Sequence, residues 1–203
     1  MNYISVNGKK IELTEEQVRQ IVDAYKENQV RLADIPVGEV VSIGGQKMIV
    51  LEHLDGETAL ITQNLIGEDT AFSNSNNNYD GSFVDDICES FAEMLEDLAG
   101  AENVVEFDVD LTSDDGLKDY GQIRRKASLM TADMYRRYVD ILDQHKPDKY
   151  WWLATPHSTK RHDNDRWAKC VSPSGYIDID FYYYYDYGVR PFCILKSTIF
   201  ISR

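Results

Sequence analysis

Tyr176-Ile177-Asp178-Ile179-Asp180-Phe181-Tyr182-Tyr183-Tyr184-Tyr185-Asp186-Tyr187, running straight into Gly188-Val189-Arg190-Pro191, sets more than any other segment what this chain can be. Its first half alternates isoleucine with aspartate, the period of a strand, which assigns Ile177 and Ile179 inward and Asp178 and Asp180 outward. Its second half breaks that rule. Alternate side chains of a strand point to opposite faces, so four consecutive tyrosines, Tyr182 to Tyr185, cannot all be core, and some must face water. Tyrosine brings a large contact area, only two χ angles to freeze and a hydroxyl handle, which is why recognition surfaces accumulate it. Interleaved aspartates add charge selectivity. A binding surface explains the tract better than a core strand does.

Outward from this tract, Val189–Leu195 and Thr198–Ile201 are buried and β-forming in character. Upstream, Tyr150–Leu153 and Trp167–Val171 are strand-like, with a charged loop from His157 to Arg166 between them and a Ser174-Gly175 turn after them. A helix begins at Thr131 with Met134, Tyr135, Tyr138, Ile141 and Leu142 inward. Val104–Leu111 is a strand and Thr112–Gly116 a polar loop. Ser82 caps a helix with apolar positions Val84, Ile87, Phe91, Leu95 and Leu98, stopped by Gly100. Ser73–Asn78 is expected as a surface loop. Val37–Ile43, Lys47–Leu54 and Glu57–Thr62, broken by Gly44-Gly45 and Asp55-Gly56, form a meander. At the amino end, Tyr3–Val6 and Lys10–Leu13 flank Asn7-Gly8, a type I′ hairpin signal. Thr14 with Gln17 then opens a helix in capping-box spacing, its apolar face Val18, Ile21, Val22 and Tyr25. The expected organisation is α+β: a hairpin-helix extension over residues 1–34 and one domain over 35–203.

Composition bounds the function. The 203 residues hold 35 acidic and 21 basic side chains, a formal charge of −14, and 43% are hydrophobic, so there is material for a core but no basic stripe for nucleic acid. No stretch reads as a signal peptide or a membrane span, which points to cytoplasmic synthesis with incorporation into a virion left open. Three cysteines, Cys88, Cys170 and Cys193, are odd in number and lack CxxC spacing, against a disulfide framework or a zinc site.

The chemistry-bearing residues give no catalytic constellation. His53, His145, His157 and His162 belong to no nucleophile or zinc motif, and there is no phosphate loop. Asp108, Asp110, Asp114 and Asp119 fail the calcium-loop template in both registers: from Asp108 the sixth position is Ser113 and the twelfth Asp119, and from Asp110 the twelfth is Gly121. A solvated acidic loop is expected there. Four adjacent residues, His162 to Asp165, rarely converge on one ion. No metal and no cofactor are therefore assigned.

Several short motifs in order resemble one family. Tyr150-Trp151-Trp152-Leu153-Ala154-Thr155-Pro156, then Val171-Ser172-Pro173-Ser174-Gly175, then Gly188-Val189-Arg190-Pro191 resemble the W-W-L-R-S-P, V-x-x-x-G and G-V-R-P ending of a domain family of gut bacteria and their phages. Ile35-Pro36-Val37-Gly38-Glu39-Val40-Val41, Asn77-Asn78-Tyr79-Asp80-Gly81-Ser82 and Ser128-Leu129-Met130-Thr131 resemble its body. That family is similar to the C-type-lectin-like fold, and some members are variable proteins of diversity-generating retroelements. There, template adenines are copied with errors, so that AAC codons become Tyr, Asp, Ser, His, Phe, Ile and others, but not Lys, Glu, Gln, Met or Trp. Every residue from Tyr176 to Tyr187, and Asp163-Asn164-Asp165, belongs to the reachable set. Ala154-Thr155 departs from the family's Arg-Ser. The calcium-dependent sugar-binding triplets of lectins are missing.

The resemblance implies a C-type-lectin-like domain, diversified over about 154–187, that binds a ligand and is no enzyme. Trp151, Trp152, Gly188, Arg190 and Pro191 would be scaffold, with Gly188 permitting a special backbone conformation and Arg190 tying the last strand to carbonyls or a carboxylate. The expected exposed binding set is His157, Ser158, Arg161, His162, Asp163, Asn164, Asp165, Ser172, Tyr176, Asp178, Asp180, Tyr182, Tyr183, Tyr184, Tyr185 and Asp186. The expected partner is a protein or glycan, a host cell surface being one place for it, with no nucleic acid and no membrane insertion; a homo-oligomer is compatible. Two other readings stand beside it. One is a formylglycine-generating-type oxidoreductase, which needs Cys170 and Cys193 to converge on copper. The other is a structural virion or assembly protein that oligomerises through the hairpin-helix.

Overall fold

The computed structural model describes residues 2–6, 8–27, 29–67 and 69–202, and of residues 2, 4, 6, 22–27 and 202 the backbone alone. The expected Asn7-Gly8 turn lies partly outside them. β1 (Asn2–Val6) and β2 (Lys9–Leu13) pair antiparallel, and α1 (Glu15–Glu27) follows. The capping box is formed: Gln17 Oε1 accepts the Thr14 amide at 2.9 Å, and Thr14 Oγ1 accepts the Gln17 amide at 3.2 Å. Of the expected apolar face, Val18 is half-buried and Ile21 exposed, while the Val22 and Tyr25 side chains lie outside the described set.

The chain joins its main body earlier than the expected boundary at residue 35. β3 (Gln29–Arg31) pairs antiparallel with the last strand, and Leu32 is fully buried. A meander follows as β4 (Val40–Ile43), β5 (Gln46–Leu54) and β6 (Glu57–Thr62). The first of these starts three residues later than expected, since Val37-Gly38 after Pro36 forms a turn. A long irregular segment then leads to α2 (Phe83–Ala99). Ser82 Oγ accepts the Asp85 amide at its start, and Gly100, at φ +89°, ends it.

Next come β7 (Val104–Val105) and β8 (Phe107–Asp110), which split the single strand expected at 104–111. β9 (Gln122–Arg125) and β10 (Ala127–Ser128) have too little apolar alternation to be predicted. The third helix is two short ones, α3 (Ala132–Arg137), capped by Thr131, and α4 (Val139–Leu142). The chain closes with β11 (Trp151–Pro156), β12 (Trp167–Val171), β13 (Ile177–Phe181), β14 (Phe192–Lys196) and β15 (Phe200–Ser202).

The result is a mixed α+β architecture whose strand ladders are antiparallel. The main sheet runs β10-β14-β6-β5-β4, with β7 also on β14, and a second sheet runs β11-β12-β13. Alternation decides what each sheet buries. Met48, Val50 and Leu60 face α2 with Phe91 and Leu95, whereas Ile49, Leu51 and Ile61 face Tyr135, Leu142, Trp151 and Val171. β11 is buried along its whole length because both its faces are covered. Trp151 and Leu153 belong to the core shared with the main sheet, while Trp152 and Ala154 pack with Phe72, Tyr79, Cys88 and Val109. Thr155, one of the two departures from the family pattern, accepts the Ala132 amide at 2.8 Å and so holds the start of α3.

The G-V-R-P segment is a tie between the two sheets. Arg190 is fully buried and donates from Nε to Thr62 O at 2.9 Å and from Nη2 to His145 O at 3.0 Å, over the Trp151 ring; its partners are carbonyls. Burial lowers its pKa to about 10. Gly188 corrects an expectation. It has no positive φ, and its constraint is space, because an added Cβ would sit 2.5 Å from the Leu65 side chain. Among the described residues, no helix is long and apolar enough to cross a membrane.

Candidate functional site

β11, β12 and β13 are antiparallel neighbours, so the β11–β12 loop (157–166) and the segment after β13 (182–187) leave from the same end of their sheet. Backbone bonds weld these loops together and to the segment before α2. The Tyr182 amide donates to Arg166 O at 3.0 Å, Ser73 to Tyr182 O at 3.1 Å and Asn77 to Asp165 O at 3.0 Å. The organiser is Asn77, which is fully buried. Its Nδ2 donates to Ser158 O at 2.9 Å and Trp167 O at 2.7 Å, and its Oδ1 accepts the Tyr120 hydroxyl at 2.9 Å. The Ser73–Asn78 stretch is therefore no simple surface loop: Ser73 and Asn77 are interior, and only part of it meets water.

Between the anchored backbones of Tyr182 and Tyr187, residues 183–186 project outward. Tyr183, Tyr184 and Tyr185 are 50%, 45% and 66% exposed, and Asp186 is exposed. None of their hydroxyls takes a hydrogen bond among the described residues. Beneath them runs a column of rings: Trp167 stacks on Phe181 at 3.9 Å, Phe181 on Tyr183 at 5.1 Å, and Tyr184 meets the Phe181 edge at 5.8 Å. Trp167 and Phe181 are the floor of this surface, and reasoning from the tyrosine run alone missed both. Tyr187 ends the run inward, 7% exposed, stacked on Trp152 at 4.2 Å. Its hydroxyl donates to Asp180 Oδ2 at 2.5 Å, and burial first, then that bond, pushes its pKa far up.

The charged loop is held from below by the acidic loop expected to be merely solvated. Asp115 accepts from Ser113 Oγ at 2.5 Å and Ser158 Oγ at 2.7 Å, and its Oδ2 lies 2.9 Å from His162 Nδ1. Those bonds, Ser113 foremost, hold its carboxyl well below the usual carboxylate range. Asp119 accepts Thr159 Oγ1 at 2.5 Å and pairs with Arg161. Asp114 takes the ammonium of Lys169, a buried lysine of β12, at 2.8 Å. Nothing in the spacing of these aspartates announced that task.

The structure thus sorts the expected binding set. His162, Asp163 and Arg161 are exposed on the loop, Asn164 and Asp165 half-buried, and His157 half-buried with its Nδ1 interior and unbonded. Ser158 and Ser172 are corrections: each is 3% exposed, the first held by Asp115 and the second accepting the Tyr176 amide at 3.2 Å. Ser172 and exposed Tyr176 also lie at the opposite end of the sheet, about 17 Å away for a five-residue strand. They do not join the tyrosine surface.

Tyr182 is half-buried, packed against the core cluster that includes Trp152 and Tyr187. Asp180 is half-buried rather than outward, and of the two only Asp178 is exposed. Both aspartates share the strand face of Ala168 and Cys170, while Ile177 and Ile179, half-buried, share that of Val171 and Lys169.

The tyrosines line neither of two clefts found elsewhere on the body. A cleft of about 630 Å³ opens around Gly44, Leu98 and Phe200, and one of about 600 Å³ around Asn64 and Lys146. Cys170 and Cys193 lie in different sheets and different core clusters, with burial raising the Cys170 thiol to about 12 and the Cys193 thiol further. They do not converge. Among the described residues, no three His, Cys, Asp or Glu side chains gather as metal ligands. Family models, curated proteins and solved structures were each compared with this chain, and none matches it.

Proposed function

We propose that this chain is a non-enzymatic ligand-binding protein of the C-type-lectin-like kind, its carboxyl-terminal surface diversified by a retroelement of a phage or prophage. One observation carries the reading. Tyr183, Tyr184 and Tyr185 stand in water on a frame whose burial does not involve them. Exposed aromatic area is retained on a monomer surface where it meets a partner. The W-W-L strand and the G-V-R-P tie supply a rigid support, so residues 183–186 and the outer face of loop 160–165 vary at little cost to the rest. Trp167, outside the set that adenine errors reach from AAC, serves as a constant ring beneath variable ones. Exposed rings with free hydroxyls, lining neither of those clefts, suit a macromolecular target better than a small molecule, which needs a concavity.

The flanking DNA tests the diversification. We expect a near-copy of the codons for about the last fifty residues, differing almost only at adenines, beside a reverse transcriptase gene. Its absence from the locus rejects the retroelement. Binding is tested by presenting the chain and its Tyr183→Ser/Tyr184→Ser/Tyr185→Ser form to bacterial cells from the source community. Retention by cells of the parent alone is the expected result, and equal retention rejects the tyrosine surface.

A further inference from the structure

β13 is the outer strand of its sheet, and one of its edges pairs with nothing among the described residues. Such an edge is a template for strand addition by another chain, and native proteins block it by some device. The device is visible in the hydrogen bonds. Tyr176 O accepts the Ser172 amide and the Tyr182 amide donates to Arg166 O, so by alternation the even residues of this segment bond to β12. The amides of Ile177, Ile179 and Phe181 then point to the open edge. Two of these three are taken by the side chain just before them: Asp178 Oδ1 accepts the Ile179 amide at 2.9 Å, and Asp180 Oδ1 accepts the Phe181 amide at 2.7 Å. The Phe181 carbonyl is taken by the Tyr184 amide at 3.0 Å.

We infer that Asp178 and Asp180 are edge guards, which close β13 against strand addition by a second copy of this chain. The carboxylates occupy the donors an incoming strand requires. Two such edges laid antiparallel would also set aspartate against aspartate. This role is independent of the ligand reading, and it takes both residues out of the contact surface.

Amide exchange in the intact protein tests the caps directly. Corrected for intrinsic rates, the Ile179 and Phe181 amides should exchange roughly fivefold or more slowly than that of Ile177, which faces the same edge without a cap. Equal rates overturn the proposal. Sedimentation velocity tests the consequence. Asp178→Ala/Asp180→Ala should add a concentration-dependent dimer that the parent lacks, and adding Ile179→Pro should abolish it, since that nitrogen donates no bond to β12. Asp178→Asn/Asp180→Asn keeps an acceptor at each site and should associate like the parent. Because Asp180 also holds Tyr187, Asp178→Ala alone is the variant to use if the double one unfolds. An alanine form that associates like the parent, a dimer that survives the proline, or an asparagine form that behaves like the alanine form each overturns it.

Discussion

Trp151-Trp152-Leu153-Ala154 and Tyr182-Tyr183-Tyr184-Tyr185 are both short aromatic-rich runs of the carboxyl-terminal quarter, with opposite fates. The first lies in a strand with core on both faces, and all four side chains are buried. The second begins one residue past the end of β13, where the chain turns, and three of its four rings reach water. Hydrophobic character alone does not separate them, since a ring is buried only where a second layer exists to cover it. The contrast divides the carboxyl-terminal quarter into rings that hold the fold and rings that the fold holds out.

Substitutions sharpen that division. Trp152→Ala should have the largest effect, removing a fully buried ring that stacks on Tyr187 and donates to Thr70 O at 2.9 Å. A loss of about 3–5 kcal/mol is expected. Thermal denaturation should read it as a fall of about 6–20 °C, at the 2–4 °C per kcal/mol usual for this size. A fall of a degree or two would place the ring outside the core.

Asn77→Ala comes next, at roughly 2–3 kcal/mol in chemical denaturation, because it strands the buried carbonyls of Ser158 and Trp167 and the Tyr120 hydroxyl. Its second signature is faster proteolysis within 157–166. Tyr183→Ser/Tyr184→Ser/Tyr185→Ser should cost only about 1 kcal/mol, chiefly the Phe181 stack, by the same denaturation. A larger loss would return these rings to the frame and erase the contrast. Tyr182 is left out of that set because it packs inward.

Asp115→Asn should matter least at neutral pH and most in acid. The folded pKa of this carboxyl lies below its unfolded value. Its contribution is therefore present above the ordinary carboxylate range, near pH ~4, and is lost as pH falls through the lowered folded value. The melting temperature of the variant should decline less steeply below about pH 4 than that of the parent. Identical acid limbs would show that Asp115 is not what holds loop 157–163.

Much of the frame was legible in the residues because it rests on local signals. The Thr14 and Ser82 caps, Gly100, and the Gly44-Gly45 and Asp55-Gly56 turns all stand where capping and turn chemistry put them. Period two predicts that some of the tyrosines face water, but three consecutive rings do so because the run lies past the end of β13, where the chain turns. What stayed hidden depends on contacts between distant segments. Asn77 in a polar run gives no sign of the loop carbonyls it meets some eighty to ninety residues later. Asp115 and Asp119 carry no spacing that reveals Ser158 and Thr159 above them. The resemblance puts Ser172 in one set with the tyrosines, although the β12–β13 hairpin places it at the opposite end of the sheet.

The pairing of β3 with β15 has a practical consequence. Gln29 sits opposite Ser202, so β3 and β15 bring two distant stretches of the chain side by side at one corner of the body. A unit with adjoining ends can be spliced into a host protein's surface loop, or have its ends fused and be reopened elsewhere, without stretching its interior. The exposed tyrosines would travel with it as a transplantable cassette.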